Sequence, residues 1–190
     1  IGQRVEVDGK QMNVYVAGNG PKTLVFLSGS GTSSPILDFK SLYSKLVKDY
    51  RVVVVEKFGY GFSDDWSKHR DLDTILSQTR KALQKADVKG PYVLLPHSMS
   101  GLEAMHWSAS YPKEVEAIIG LDMSLPQAYD KYRSNRLLYK TLQLAANLGL
   151  SRWLYSPDKE IRSLSNGSLN PKEKSIYKAL FYRCPLSNAV

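Results

Sequence analysis

The sequence has a single cysteine, Cys184, and only three histidines, His69, His97 and His106. One cysteine excludes an intrachain disulfide and any metal cluster built from several thiolates. The histidines lack the spacing of zinc ligands, so we expect no metal site. No apolar run in the sequence approaches the roughly 20 residues that a membrane-spanning helix needs, and no signal peptide is visible.

The net charge of +8 is the next feature, because a strong basic excess is one signal of nucleic-acid binding. Residues 1–129 carry 15 basic and 14 acidic side chains, whereas residues 130–190 carry 11 and 4. The excess is scattered singly, without the aromatic or groove-helix patterns of nucleic-acid modules. We therefore expect no nucleic-acid partner. The simpler interpretation is a solvated basic face, and the alternative is a basic surface that meets anionic lipid or an acidic substrate.

Strand-like and helix-like segments alternate in the first two thirds of the chain. A hairpin with an Asp8-Gly9 turn comes first. Four apolar strands then alternate with amphipathic helices, and we place these strands at residues 23–27, 51–56, 91–96 and 116–121. Such alternation predicts an α/β fold with a mostly parallel sheet, helices on both faces, and the hairpin extending one side.

After Asp122 the pattern changes to helices alone. Leucines at helical spacing continue to Gly149, and Ser156-Pro157 and Asn170-Pro171 have the residues of helix starts. We predict an N-terminal core at 1–123 and an inserted helical cap at 124–190. This cap is rich in Tyr, Leu and Trp and holds the basic excess.

Ser98 lies between the strand at 91–96 and a predicted helix at 99–110. That junction would place its hydroxyl over the sheet edge, at the positive end of the helix. The surrounding residues, Pro96-His97-Ser98-Met99-Ser100-Gly101, match the G-x-S-x-G pattern of a nucleophile turn imperfectly. Taken alone, an ordinary helix N-cap explains this serine equally well.

The glycine-rich stretch LSGSGTSS at 27–34 follows an earlier buried strand. A serine that attacks a carbonyl needs two N–H donors for the developing oxyanion. We expect one from Met99, directly after the serine, and the other from this loop, whose glycines let the backbone approach a ligand. The stretch lacks the patterns of a phosphate-binding loop, G-x-x-x-x-G-K-[ST] and G-x-G-x-x-G, which disfavours that alternative.

These stretches together resemble an α/β-hydrolase, and more closely the lipase/esterase-like branch with a helical cap. The motifs SGSG at 28–31, FGYGFSD at 58–64 and PHSMSG at 96–101 occur in the family's order and spacing. The resemblance implies that Ser98 is the nucleophile and that Ser30 and Met99 give the oxyanion N–H donors. It also implies that His97 is the variable residue before the nucleophile, and that GYGFSD is a structural turn.

The sequence departs from this family in three places and lacks one part of its site. Ser28 replaces the usual histidine of the oxyanion loop, and Pro96 and Ser100 replace the glycines around the nucleophile. In the family, the acid and the histidine follow strands beyond the cap. We therefore expect the base histidine and the remaining core strands beyond Val190, since ending the sheet at residue 121 would leave an open apolar edge. Asp122 is the in-chain candidate for the acid.

The sequence thus predicts a serine hydrolase that cleaves a carboxylic ester or related acyl substrate without any cofactor. The alternative is an inactive hydrolase-fold protein that uses its cap to bind a ligand or partner. Expected partners are a small acyl substrate and a C-terminal fragment of the same protein. A membrane surface is a further candidate partner, which the protein would meet through the basic cap or through an N-terminal anchor lost before Ile1. Localisation stays open between the cytoplasm and an anchored or extracytoplasmic position in a bacterium.

Overall fold

A computed structural model describes residues 1–129 and 157–183 of the chain. The predicted cap helix ending at Gly149, and Cys184, lie outside the described residues. The strands are β1 Gln3–Val7, β2 Lys10–Ala17, β3 Thr23–Leu27, β4 Arg51–Glu56, β5 Tyr92–Ser98, β6 Val115–Ile118 and β7 Leu121–Met123. The helices are α1 Pro35–Asp38, α2 Lys40–Leu46, α3 Leu72–Lys85, α4 Ser100–Ser110, α5 Pro157–Glu160, α6 Arg162–Ser165 and α7 Pro171–Phe181, with a 3₁₀ turn at Pro126–Tyr129.

The strands form one sheet in the order β1-β2-β4-β3-β5-β6, and β7 also pairs with β5. The β1–β2 hairpin is antiparallel and joins β4 antiparallel, while β3, β4, β5, β6 and β7 pair in parallel. The predicted α/β class, the mostly parallel sheet and the extending hairpin are therefore confirmed. Because β3 and β5 are neighbours in register, with Leu27 opposite Pro96, the loops that follow them leave the sheet side by side.

The central strands have apolar side chains on both faces because helices cover both faces. All five residues of β3 are buried. Val25 and Leu27 face a cluster that includes Leu83 of α3 and Trp107 of α4. On the other face, Leu24 and Phe26 pack in a cluster with Ile36 of α1. This packing holds the carboxyl ends of β3, β4 and β5 at one edge of a rigid sheet.

Two predicted elements are interrupted in the structure. The helical period from residue 36 to 47 forms α1 and α2, separated at Phe39. Tertiary contacts outweigh helix continuity here, since the Phe39 ring packs on Phe26 with centroids 5.3 Å apart. The single strand predicted at 116–121 forms β6 and β7 instead. The break falls at Ile119 and Gly120, and β7 then pairs with the last two residues of β5, His97 and Ser98. Asp122, within β7, has φ +52°.

The C-terminal helices pack on the core through α1. The predicted helix start at Asn170 is confirmed, since its side chain and that of Glu173 form a reciprocal capping box. Asp38 at the end of α1 accepts hydrogen bonds from the Tyr177 hydroxyl at 2.7 Å and the Ser163 hydroxyl at 2.9 Å. Burial raises the pKa of this carboxyl. The division into a core at 1–123 and a cap at 124–190 stays a prediction.

Within the described residues, no helix is both long and apolar enough to cross a membrane.

Candidate active site

Ser98 ends β5 in a strained backbone conformation. Its φ is +52°, in the left-handed region that residues with a side chain rarely adopt. The chain turns sharply there, and α4 begins two residues later. Ser100 stabilises the turn, because its buried hydroxyl accepts the His97 N–H at 2.9 Å and donates to the Leu27 carbonyl at 2.7 Å. A serine at the second glycine position of the pattern therefore ties the turn to β3.

Glycines on both sides allow the close approach that this turn requires. A methyl group on Gly29 would lie 2.7 Å from the Cβ of Ser98 and 3.3 Å from its Oγ. A methyl group on Gly101 would lie 2.3 Å from the Ser124 carbonyl oxygen. The Ser124 N–H in turn donates to the Ser98 carbonyl at 2.8 Å. The serine is thus enclosed between the loop after β3 and the segment after β7.

The predicted oxyanion donors flank this serine. Ser30 belongs to the loop that brings Gly29 against Ser98, and Met99 directly follows the nucleophile candidate. Among residues 1–129 and 157–183, neither N–H donates to a protein acceptor. Buried Tyr60 supports the loop, because its hydroxyl interacts with the Ser30 hydroxyl and the Gly31 N–H. Burial raises the pKa of Tyr60, so this hydroxyl stays protonated at neutral pH.

The FGYGFSD motif forms a turn held by Glu56, at the end of β4. This carboxylate is fully buried and accepts hydrogen bonds from the Phe62 N–H at 2.8 Å, Asn13 Nδ2 at 3.0 Å and the Ser34 hydroxyl at 3.1 Å. Burial raises its pKa, and these hydrogen bonds oppose that rise. Ser34 occupies the N-cap position of α1, but its hydroxyl donates to Glu56 and not to the helix backbone.

Within the described residues, which include all three histidines of the chain, no acidic or basic side chain makes a hydrogen bond to the Ser98 hydroxyl. His97 is exposed and packs edge-on against Phe39. His106 bonds Asp73 through Nε2 at 2.7 Å, between α4 and α3. His69 is exposed at the rim of a cavity described below. The base predicted beyond Val190 and the roles of the other predicted site residues stay predictions.

Asp122, the predicted acid candidate, lies on β7, the strand that pairs with the Ser98 end of β5. The pairing places Leu121 opposite His97 and Met123 opposite Ser98. Asp122 therefore comes to the same sheet edge as the nucleophile candidate. Its side chain is exposed, and among the described residues it makes no hydrogen bond to Ser98 or to a histidine.

A cavity of about 350 Å³ opens beside the turn at Ser98. Its walls are the predicted oxyanion loop at residues 28–30, the first residues of α4, and the chain from Lys57 to Ile75. The lining includes charged side chains that no sequence motif indicates, among them Lys57, Arg70 and Glu103. Burial lowers the pKa of Arg70, whose Nη2 donates to the Phe58 carbonyl at 3.2 Å. A larger groove of about 640 Å³ lies around Tyr92, at the opposite end of β5, away from Ser98.

Metal ligands do not gather in this region. Among the residues that the structure describes, no group of three or more His, Cys, Asp or Glu side chains has an arrangement that could hold a metal ion.

Comparison with known proteins places these features in a family. The model of the α/β-hydrolase fold family matches residues 22–178. The uncharacterized protein YbdG of Bacillus subtilis is 45% identical over 185 residues, which cover 96% of this chain and 57% of YbdG. The 2-(acetamidomethylene)succinate hydrolase of Mesorhizobium japonicum is 24% identical over 124 residues, covering 65% of this chain and 43% of that enzyme. The structure of an epoxide hydrolase from Bacillus megaterium superposes with a TM-score of 0.68 at 16% identity, covering 98% of this chain and 69% of that one.

The chain therefore belongs to the α/β-hydrolase fold family. The strand order, the strained serine between β5 and α4, and the glycine loop after β3 agree with this assignment. The chain spans little more than half the length of YbdG, its 45% identical relative. The similarity to the epoxide hydrolase shows the fold alone, because the two sequences are only 16% identical.

Proposed function

We propose that this chain carries the nucleophile and the oxyanion hole of a serine hydrolase that cleaves a carboxylic ester or related acyl substrate. The observation that carries the proposal is the backbone of Ser98, which has φ +52° between a buried strand and a helix. Strain of this kind costs on the order of 1–3 kcal/mol and persists where the surrounding structure enforces it, most often at active sites. Ser98 is also not the N-cap of α4, since Met99 occupies that position, and an N-cap residue typically has an extended backbone rather than a positive φ.

The proposed reaction has two steps. The Ser98 hydroxyl attacks the carbonyl carbon, its proton passes to a base, and the Met99 and Ser30 N–H groups stabilise the oxyanion. The carbon–oxygen bond of the ester breaks, the alcohol leaves with that proton, and an acyl-enzyme remains on Ser98. Water then adds to the acyl carbon and releases the acid, which restores the serine.

The base is proposed to be a histidine beyond Val190, and Asp122 is kept as the acid candidate. Support for an out-of-chain base is that His69, His97 and His106 make no hydrogen bond to Ser98 in the described part of the chain. A serine with its oxyanion hole but without a base loses most of its rate acceleration. The proposed substrate has an apolar portion beneath the cap, and the proposal requires no organic cofactor.

A fluorophosphonate probe tests the proposal, because it forms a covalent bond only with an activated serine. The full-length protein should be labelled at Ser98, as located by peptide mass spectrometry. Labelling should disappear in Ser98→Ala and persist in Ser30→Ala, since the latter keeps its backbone N–H. Failure of the full-length protein to label would contradict the proposal. That outcome would favour the alternative of a hydrolase-fold protein that binds through its cap without turnover.

A further inference from the structure

We propose that the buried ion pair between Lys57 and Glu103 positions the oxyanion loop; this role rests on the proposed function of Ser98. Lys57 Nζ lies 2.5 Å from Glu103 Oε2, and the two side chains are 11% and 2% exposed. Both line the cavity beside Ser98. Among the described residues, Glu103 Oε2 has no other donor, so the ammonium is its single partner there.

The ion pair joins four elements that meet at this edge of the sheet. Lys57 directly follows β4, and Glu103 lies in the first turn of α4, five residues after Ser98. The second oxygen of Glu103 accepts the Thr79 hydroxyl of α3 at 2.9 Å. Lys57 Nζ also donates to the Ser28 carbonyl of the oxyanion loop at 3.1 Å. The ammonium thus connects the loop to α4, the helix that begins two residues after Ser98.

The hydrogen bond from Lys57 to the Ser28 carbonyl sets the direction of the backbone just before Ser30, the proposed oxyanion donor. The peptide between Ser28 and Gly29 is planar, so an anchored carbonyl also fixes the direction of the Gly29 N–H. The next residue is Ser30, whose N–H is a proposed oxyanion donor. Such a donor acts only when it is held about 2.7–3.1 Å from the position that the oxyanion will occupy.

Stability alone does not account for this ion pair. Replacing a buried ion pair by apolar side chains of similar volume is often neutral or stabilising, whereas removing one partner leaves an uncompensated charge and is strongly destabilising. An apolar pair at Lys57 and Glu103 would therefore avoid the uncompensated charge and restore most of the stability that a single replacement removes. It would leave the Ser28 carbonyl without its donor, and the loop would lose this contact while keeping the one with Tyr60.

The test compares the single variant Lys57→Met with the double variant Lys57→Met/Glu103→Leu in the full-length protein. The single variant should have a lower unfolding midpoint, because Glu103 is left buried without its partner. The double variant should recover the midpoint to near the wild-type value. Its rate of fluorophosphonate labelling at Ser98 should nevertheless stay at least about ten-fold below wild type, the size of loss expected from a misplaced donor.

Hydrogen exchange of residues 27–34 provides a readout that does not depend on activity. Exchange of this segment should be faster in the double variant than in wild type. The same substitutions at an exposed ion pair, Lys22→Met/Glu116→Leu, should change neither labelling nor exchange. A double variant that recovers labelling and exchange protection together with its midpoint would overturn the positioning role. Absence of labelling in wild type would refute the proposed function instead, and the exchange of residues 27–34 would still decide the role of the pair.

Discussion

Replacing Gly61 by alanine should destabilise the protein far more than the same change at another left-handed glycine. Gly61 has φ +51°, and a methyl group there would lie 2.0–2.1 Å from the carboxylate atoms of Glu56. The end of a glutamate side chain usually moves aside at little cost. This carboxylate cannot do so, because it is fully buried and holds hydrogen bonds from Phe62, Asn13 and Ser34.

Two costs add in the Gly61→Ala variant. A left-handed conformation costs a residue with a Cβ about 1–2 kcal/mol. Displacing the carboxylate loses at least one hydrogen bond to a charged group, worth about 1.5–3 kcal/mol. The expected loss in free energy of unfolding is therefore about 2.5–5 kcal/mol.

Gly9→Ala is the matched control, since Gly9 has φ +77° and open space where the methyl group would lie. It should incur only the backbone cost of about 1–2 kcal/mol. Urea unfolding of wild type and both variants, followed by fluorescence, measures the two losses on one scale. Equal losses in the two variants, to within about 0.5 kcal/mol, would refute the argument that Glu56 is held in place.

Three further substitutions test the site and the electrostatics separately. Gly29→Ala should lower fluorophosphonate labelling at least about ten-fold, because its methyl group would lie 2.7 Å from the Cβ of Ser98. Unchanged labelling would show that the loop after β3 is not held against Ser98. Hydrogen bonds from Arg80 lower the pKa of Glu114 below its ordinary value of 4.5. The ionised Glu114 therefore stabilises the fold above pH 4.5, and this contribution is lost as the pH falls through the lowered pKa. Below pH 4.5 the unfolding midpoint of wild type should therefore fall with pH, and it should fall less steeply in Glu114→Gln and in Arg80→Gln. If both variants lose stability below pH 4.5 as steeply as wild type, the interaction of Arg80 with Glu114 does not account for the acid sensitivity.

Local patterns in the sequence were sufficient for the architecture. The apolar runs at 23–27, 51–56 and 91–96 could be assigned to parallel strands because each is too short for a helix and each is followed by a helical period. The junction at Ser98 and the glycine loop before Ser30 were also readable, since a sharp strand-to-helix turn and a close backbone approach restrict the residue types that fit. The capping box at Asn170 is another case in which one short pattern determines its own structure.

Contacts between residues distant in the chain were decided only by the tertiary structure. The break between α1 and α2 lies at Phe39, whose ring packs against Phe26. The break between β6 and β7 lies at Ile119 and Gly120, between the segments that pair with two different parts of β5. The ion pair of Lys57 with Glu103 joins residues 46 positions apart, and neither residue lies in a motif that points to the other. Sequence periodicity shows which face of an element is buried. It does not show which partner a buried charge meets there, because that depends on how the sheet brings separate loops together.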